Sequence, residues 1–127
     1  MEVKNKVYPS KDQMRGFFGT TNDNEPIYMV NLLKFKDKAE YKDGRKTNLT
    51  GREAYKIYAE FVKNHLQNIG GDLILHTDVT RMAVGEVEEL WDVVAIAKWP
   101  SRQIMGENMM PNDPKYLEAY QHREAGL

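Results

Sequence analysis

The run IYMVNLLKF, from Ile27 to Phe35, limits the possible folds more than any other stretch of this chain. Strand alternation places Ile27, Met29, Asn31, Leu33 and Phe35 on one face and Tyr28, Val30, Leu32 and Lys34 on the other. Both faces are mostly apolar, so a strand here needs a covering layer above and another below. In a chain of 127 residues one layer can come from its own helices, and a second copy of the chain is the simplest source of the other. The amide of Asn31 at the centre is the exception, because a buried carboxamide must find partners for its donors and acceptors.

The rest of the chain surrounds this strand with recognisable elements. Glu2 to Tyr8 alternates loosely as a short strand, and Ser10 is placed to cap a helix over KDQMRGFF. GTTNDNEP reads as a loop and KDKAEYKDGRKTN as an exposed, charged one, with the turn signal Asp43-Gly44. Thr50-Gly51-Arg52-Glu53 is a capping box opening a helix. On that helix Ala54, Tyr55, Tyr58, Phe61, Val62, Leu66 and Ile69 share a face, and Gly70-Gly71 ends it. Asp72–Thr80, Met82–Val87 and Leu90–Trp99 read as three extended runs, the first two also readable as one long bent hairpin, with Gly85 marking a bulge or close approach. Pro100-Ser101 then starts a short helix through Met110, and Asp113-Pro114 starts another that Gly126 stops. The order β, α, β, β, α is the skeleton of a split βαβ, ferredoxin-like α+β unit. A single domain over 1–127 is expected, with 1–25 as an N-terminal helical extension.

Composition excludes several function classes. With 41% hydrophobic and 29% charged residues the chain suits one core, and it is long enough to bury one without a covalent staple. The absence of cysteine excludes disulfides, thiolate zinc sites and cysteine nucleophiles. No stretch has the apolar length of a membrane span, and MEVKNKVYPSKDQMRG lacks a signal-peptide core, so a cytoplasmic protein is expected. Eighteen basic against nineteen acidic residues leave a net charge of −1 and no basic run, which speaks against nucleic acid as a partner.

The motifs IYMVNLLKF, LTGREAYKIYAE, GEVEELWDVVAIAKWPSR and HREAGL together resemble the domain of unknown function 1330 family over Val7 to Leu127. That resemblance implies a dimeric α+β barrel, in which two ferredoxin-like protomers press the open faces of their sheets together. It implies no established activity. The wider superfamily includes cofactor-free monooxygenases, haem-degrading monooxygenases, muconolactone isomerases and proteins with only a binding role. Similar proteins continue past the glycine-leucine of HREAGL into a final strand, and that strand is absent after Leu127 here.

The candidate site residues follow from chemistry and from that resemblance. Asn31 is read either as a structural amide at a bulge or dimer seam or as a group that orients a polar ligand. The superfamily's haem-degrading members use an asparagine, a tryptophan and a histidine, for which Asn31, Trp91 and His122 are the counterparts, although His122 lies much further from Trp91 than in those enzymes. His122 can take a proton near neutral pH, while Arg123 or Lys34 holds a carboxylate or enolate oxygen. The competing reading of His122-Arg123-Glu124 is charge pairing at a helix C-terminus. Tyr55 and Tyr58 are core rings whose hydroxyls reach pocket or water. Glu86 is either an inward carboxylate or a solvated one. His76 and Asp78 share a strand face but lack a third ligand, so no metal site is expected. Met105, Met109 and Met110 read as soft packing, and Asn48-Leu49-Thr50 as a helix cap rather than a glycosylation site.

These readings converge on a homodimer that binds an unknown small molecule, with no cofactor. The expected activity, if there is one, is proton abstraction or oxygenation of a polar aromatic or carbonyl compound. In that arrangement Asn31 and His122 are catalytic, and Lys34, Tyr55, Tyr58, Glu86, Trp91 and Arg123 bind substrate. A non-catalytic binding or stress-related homodimer is the first alternative, and a haem-degrading type of monooxygenase the second.

Overall fold

A computed structural model describes residues 2–19, 24–109 and 113–127. Its elements are α1 (Lys11–Phe18), β1 (Ile27–Leu33), α2 (Gly51–Asn68), β2 (Asp72–Asp78), β3 (Val93–Trp99), α3 (Arg102–Met109) and α4 (Pro114–Gly126). The helix starts lie where their side chains can satisfy the free backbone N–H groups. Ser10 with Gln13 and Thr50 with Glu53 form reciprocal capping boxes, and the Asp113 carboxylate accepts from the N–H of Lys115.

The strands form one antiparallel sheet in the order β1-β3-β2. β1 pairs with β3 from Ile27 opposite Trp99 to Leu33 opposite Val93. β2 pairs along the other side of β3, with a bulge between Leu73 and Leu75. Since β1 and β2 both run antiparallel to the strand between them, they are parallel to each other and α2 is their crossover. The chain is therefore α+β.

All the core lies on one face of the sheet. Leu33 and Val93 pack against Tyr55 and Tyr58 of α2 and Ala119 of α4. Further along, Ala97 and Trp99 meet Leu66 of α2 and Met105 of α3, with Phe17 and Phe18 of α1 packed around them. The opposite face is apolar and bare within one chain: Tyr28, Val30 and Leu32 are 57%, 61% and 47% exposed. Burial of β1 on both sides, as its composition demands, is thus met on the helix side only.

Four local expectations are corrected. Glu2 to Tyr8 forms no strand, and β1 ends at Leu33, two residues before Phe35. Met82–Val87 is not extended in a sheet either, because it has no strand beside it to pair with and Gly85 turns the chain at φ +82°. The charged segment after β1 is also less exposed than its composition suggests, since Ala39 and Tyr41 are buried against Ala54 and Ala125. Met110 and residues 20–23 of the predicted GTTNDNEP loop lie outside the described residues.

Candidate functional site

The contact with the clearest chemical content joins this loop to α4. The Tyr41 hydroxyl lies 2.6 Å from Nδ1 of His122, across 81 positions of sequence, with the two rings edge to face. Tyr41 reaches it because the loop is tied down at both ends. Lys36 N–H donates to the Gly126 carbonyl at 2.9 Å, Ala39 N–H to Leu49 O at 2.9 Å, and Glu40 N–H to Ala125 O at 3.0 Å. On the far side of the imidazole, Nε2 lies 3.6 Å from a carboxylate oxygen of Glu118, one helical turn earlier on α4.

Arg45 completes the group. Its guanidinium sits 4.6 Å from the centre of the Tyr41 ring, pairs with Asp43 at 2.7 Å and Glu118 at 3.3 Å, and donates to Gln121. Burial lowers the His122 pKa below its ordinary value, Glu118 opposes that and Arg45 adds to it. Burial raises the Tyr41 phenol, with Arg45 pulling it back and Glu118 and Asp43 pushing it up. At neutral pH both groups are therefore uncharged: the phenol donates to Nδ1, and the remaining imidazole proton is on Nε2, toward Glu118.

The other predicted site residues are distributed elsewhere. Asn31 does face the helix side and is partly buried, but its side-chain amide donates to the carbonyl of Met29 two residues earlier, at 3.1 Å. Trp91 precedes β3 and its Nε1–H donates to Asn5 at 3.0 Å. Lys34 donates to the Leu90 carbonyl at 3.0 Å and lies 3.4 Å from both Asp92 and Glu89. Its burial lowers its pKa, but the two carboxylates outweigh that and raise it, so it is a fixed cation.

Tyr55 and Tyr58 are core residues, 5.4 Å apart between ring centres, and burial pushes both phenols up. Arg123 lies over the Tyr120 ring at 5.3 Å and donates to its hydroxyl at 3.4 Å. Glu86 is exposed in the β2–β3 loop. His76 and Asp78 are exposed on β2, and among the described residues no group of three or more acidic or histidine side chains could hold a metal ion. No described helix is long and apolar enough to cross a membrane.

The structure thus brings none of Asn31, Trp91 and His122 into contact with another, and it supplies His122 with Tyr41, Glu118 and Arg45 instead. Sequence reading missed these three. A faint signal was present: Ala39 and Tyr41 are alternate apolar residues in an otherwise charged loop, the pattern of a chain laid against a surface.

Two open depressions lie on the surface. One, of about 650 Å³, is lined by Lys34, Phe35, Asp37, Arg52 and Asp92 among others. The other, of about 780 Å³, is formed by the loop itself and includes Lys38, Tyr41, Arg45 and Lys46. Tyr41 and Arg45 therefore belong both to a solvent-facing hollow and to the array around His122.

No family model matches the chain, and no curated protein matches it. Among solved structures, the methylated RPA0582 protein is 36% identical, with a TM-score of 0.78 over 98% of this chain and 88% of that one. A second structure, of the RPA0582 protein of unknown function from Rhodopseudomonas palustris, is 32% identical, with a TM-score of 0.79 over 97% of this chain and 89% of that one. Identity at this level across nearly the whole length, with the same fold, means that this chain belongs to the family of the RPA0582 protein.

Proposed function

We propose that the protein is a small-molecule-binding homodimer of the dimeric α+β barrel type, in the domain of unknown function 1330 family, and that it moves a proton on a polar carbonyl or aromatic compound without a cofactor. The Tyr41–His122 contact at 2.6 Å, with Glu118 behind the imidazole, carries the catalytic part of this reading. A neutral imidazole that accepts from a phenol and is oriented by a carboxylate is the general arrangement for transferring a proton at neutral pH.

The bare sheet face supports the dimer. Tyr28, Val30 and Leu32 on β1 and Leu75 on β2 are exposed, and the half-buried Val94 and Ile96 of β3 lie between them, so that one apolar row crosses the sheet. A second ferredoxin-like protomer, presenting the same face, would bury them in the isologous manner of a two-fold dimer.

A non-catalytic binding homodimer is the second reading. It is favoured by the polar groups of Asn31, Trp91, Lys34 and Arg123, each of which has a partner within the chain. The haem-degrading alternative needs Asn31, Trp91 and His122 at one centre, and their hydrogen bonds run apart. One experiment separates the first two. Small carbonyl and aromatic compounds are screened by thermal shift, and turnover of any that bind is compared in wild type and His122→Gln. Turnover lost in a folded, dimeric variant supports the enzyme; binding with no turnover in wild type leaves the binding protein.

A further inference from the structure

Both nitrogens of His122 are engaged, Nδ1 by the Tyr41 hydroxyl at 2.6 Å and Nε2 by the approach of Glu118 at 3.6 Å. A substrate therefore has no free imidazole nitrogen to meet. Tyr41, in contrast, walls the loop depression as well as touching His122. We propose that the group that touches substrate is the Tyr41 phenol, that His122 and Glu118 act through it, and that the substrate is a small 2-oxo carboxylate held in the depression of the Lys38–Asn48 loop. This rests on the small-molecule reading above and names the site and substrate class.

The substrate class follows from charge. Of the basic groups around the depression, Arg45 is matched by Asp43 and Glu118, but Lys38 and Lys46 are exposed and form no ion pair among the described residues. Glu40, the acidic residue of the lining, is drawn toward Lys36 at 3.7 Å. Two unmatched ammonium groups beside a phenol select an anion that also has an acidic C–H. A carboxylate next to a ketone supplies both, with the ketone oxygen placed to become an enolate.

The proton balance closes without an oxidant. The C–H bond beside the ketone breaks and its proton goes to the Tyr41 oxygen, while the proton already on that oxygen passes to Nδ1 of His122. The electron pair left on carbon moves onto the ketone oxygen as an enolate, beside the lysines. The imidazolium that forms stands between the phenol and the Glu118 carboxylate, which opposes part of the burial that disfavours it. Return of a proton to the same carbon regenerates all groups, so the net reaction is exchange of that C–H proton with solvent through the enolate.

Exchange in deuterated water tests this directly. Phenylpyruvate and pyruvate are incubated with the full chain, and the proton signal of the carbon beside the ketone is followed by NMR. Wild type should exchange it faster than buffer. Tyr41→Phe and His122→Gln should each reduce the enzymatic rate by about a hundredfold or more, and the Lys38→Ala, Lys46→Ala double variant should raise KM by about tenfold or more. Exchange by wild type no faster than buffer for both acids overturns the proposal, as does full activity in a folded Tyr41→Phe. If Tyr41→Phe and His122→Gln fail to fold, the surface lysine variant decides: an unchanged KM overturns the proposal. Dimerisation and thermal-shift ligands without exchange would sink this inference and leave the binding reading intact.

Discussion

Gly51 and Gly126 meet backbone to backbone where the first turn of α2 crosses the last turn of α4. A Cβ on Gly51 would lie 2.7 Å from the Gly126 carbonyl oxygen and run into that of Lys36, and a Cβ on Gly126 would run into the carbonyl of Gly51. The close approach lets Gly51 N–H donate to Lys36 O at 3.1 Å and Lys36 N–H to Gly126 O at 2.9 Å, so one crossing fixes two helices and the exit from β1. Alanine is ordinarily the better helix residue, yet here its methyl group has only backbone to displace. Gly51→Ala should therefore destabilise the chain by roughly 1 to 3 kcal/mol. Gly16→Ala on α1, where a Cβ meets nothing within 4 Å, should be neutral or stabilising by up to about 1 kcal/mol. Urea denaturation of the two variants tests the contrast in sign.

The bare sheet face gives a second prediction. Val30 is 61% exposed at the middle of β1 and points away from the helices, so a carboxylate there costs a single folded chain little. Within a dimer seam the same carboxylate would be buried without a partner. Val30→Asp should sediment near the single-chain mass of 14.7 kDa at micromolar concentration, while wild type sediments at twice that. Ile57→Asp, also on an exposed apolar residue but on the outer face of α2, should leave the dimer unchanged.

How much of this was legible in the sequence depends on how local the cause is. The α2 capping box and the stripe of Tyr55, Tyr58 and Leu66 are set within a few residues, and both stand as read. So does the placement of Asn31 on the face of Ile27, Met29 and Leu33, because strand period alone fixes it. Met82–Val87 is apolar enough to read as an extended run, but pairing needs a neighbouring strand that composition cannot supply, and the segment is a loop. Tyr41 was hidden for a related reason. Its partner is 81 positions away, and its own surroundings are charged enough to read as solvent-facing. What strand period does not specify is the local partner of Asn31, whose side-chain nitrogen donates to the carbonyl of Met29 two residues earlier.

Asp92 and Lys34 provide a third prediction, because their ion pair is unequal in what it holds. One Asp92 carboxylate oxygen accepts the Phe35 N–H at 2.8 Å and the backbone N–H of Asp92 donates to Leu33 O at 2.8 Å, so the residue clamps the end of β1 to the start of β3. Lys34 adds charge to that clamp from a position that water also reaches. Asp92→Ala leaves the Phe35 N–H without its acceptor and should cost about 1 to 3 kcal/mol. Lys34→Met should cost less than Asp92→Ala in the same urea titration, since it removes no backbone partner. A Lys34 effect equal to that of Asp92 would mean that the ion pair, rather than the backbone clamp, holds this end of the sheet.

His122 makes stability depend on pH with a definite sign. Its imidazole is lowered by burial, against Glu118 and with Arg45, so the folded chain takes up this proton at lower pH than the unfolded chain, whose histidine titrates near about 6.5. Between those two values the unfolded state holds more protons, and stability must rise with pH across the window. Acidification through about pH 6.5 should therefore weaken the fold, with the His122 contribution fully present only above it. The comparison is with His122→Gln, whose stability should fall less steeply on acidification. Tyr41→Phe separates the contact from the charge. It leaves Nδ1 as a shielded acceptor without a donor and should lower stability at neutral pH by about 1 to 3 kcal/mol. An NMR titration of the His122 ring with a midpoint above the ordinary histidine value would contradict the burial argument, and with it the neutral imidazole that the proposed proton transfer from Tyr41 requires.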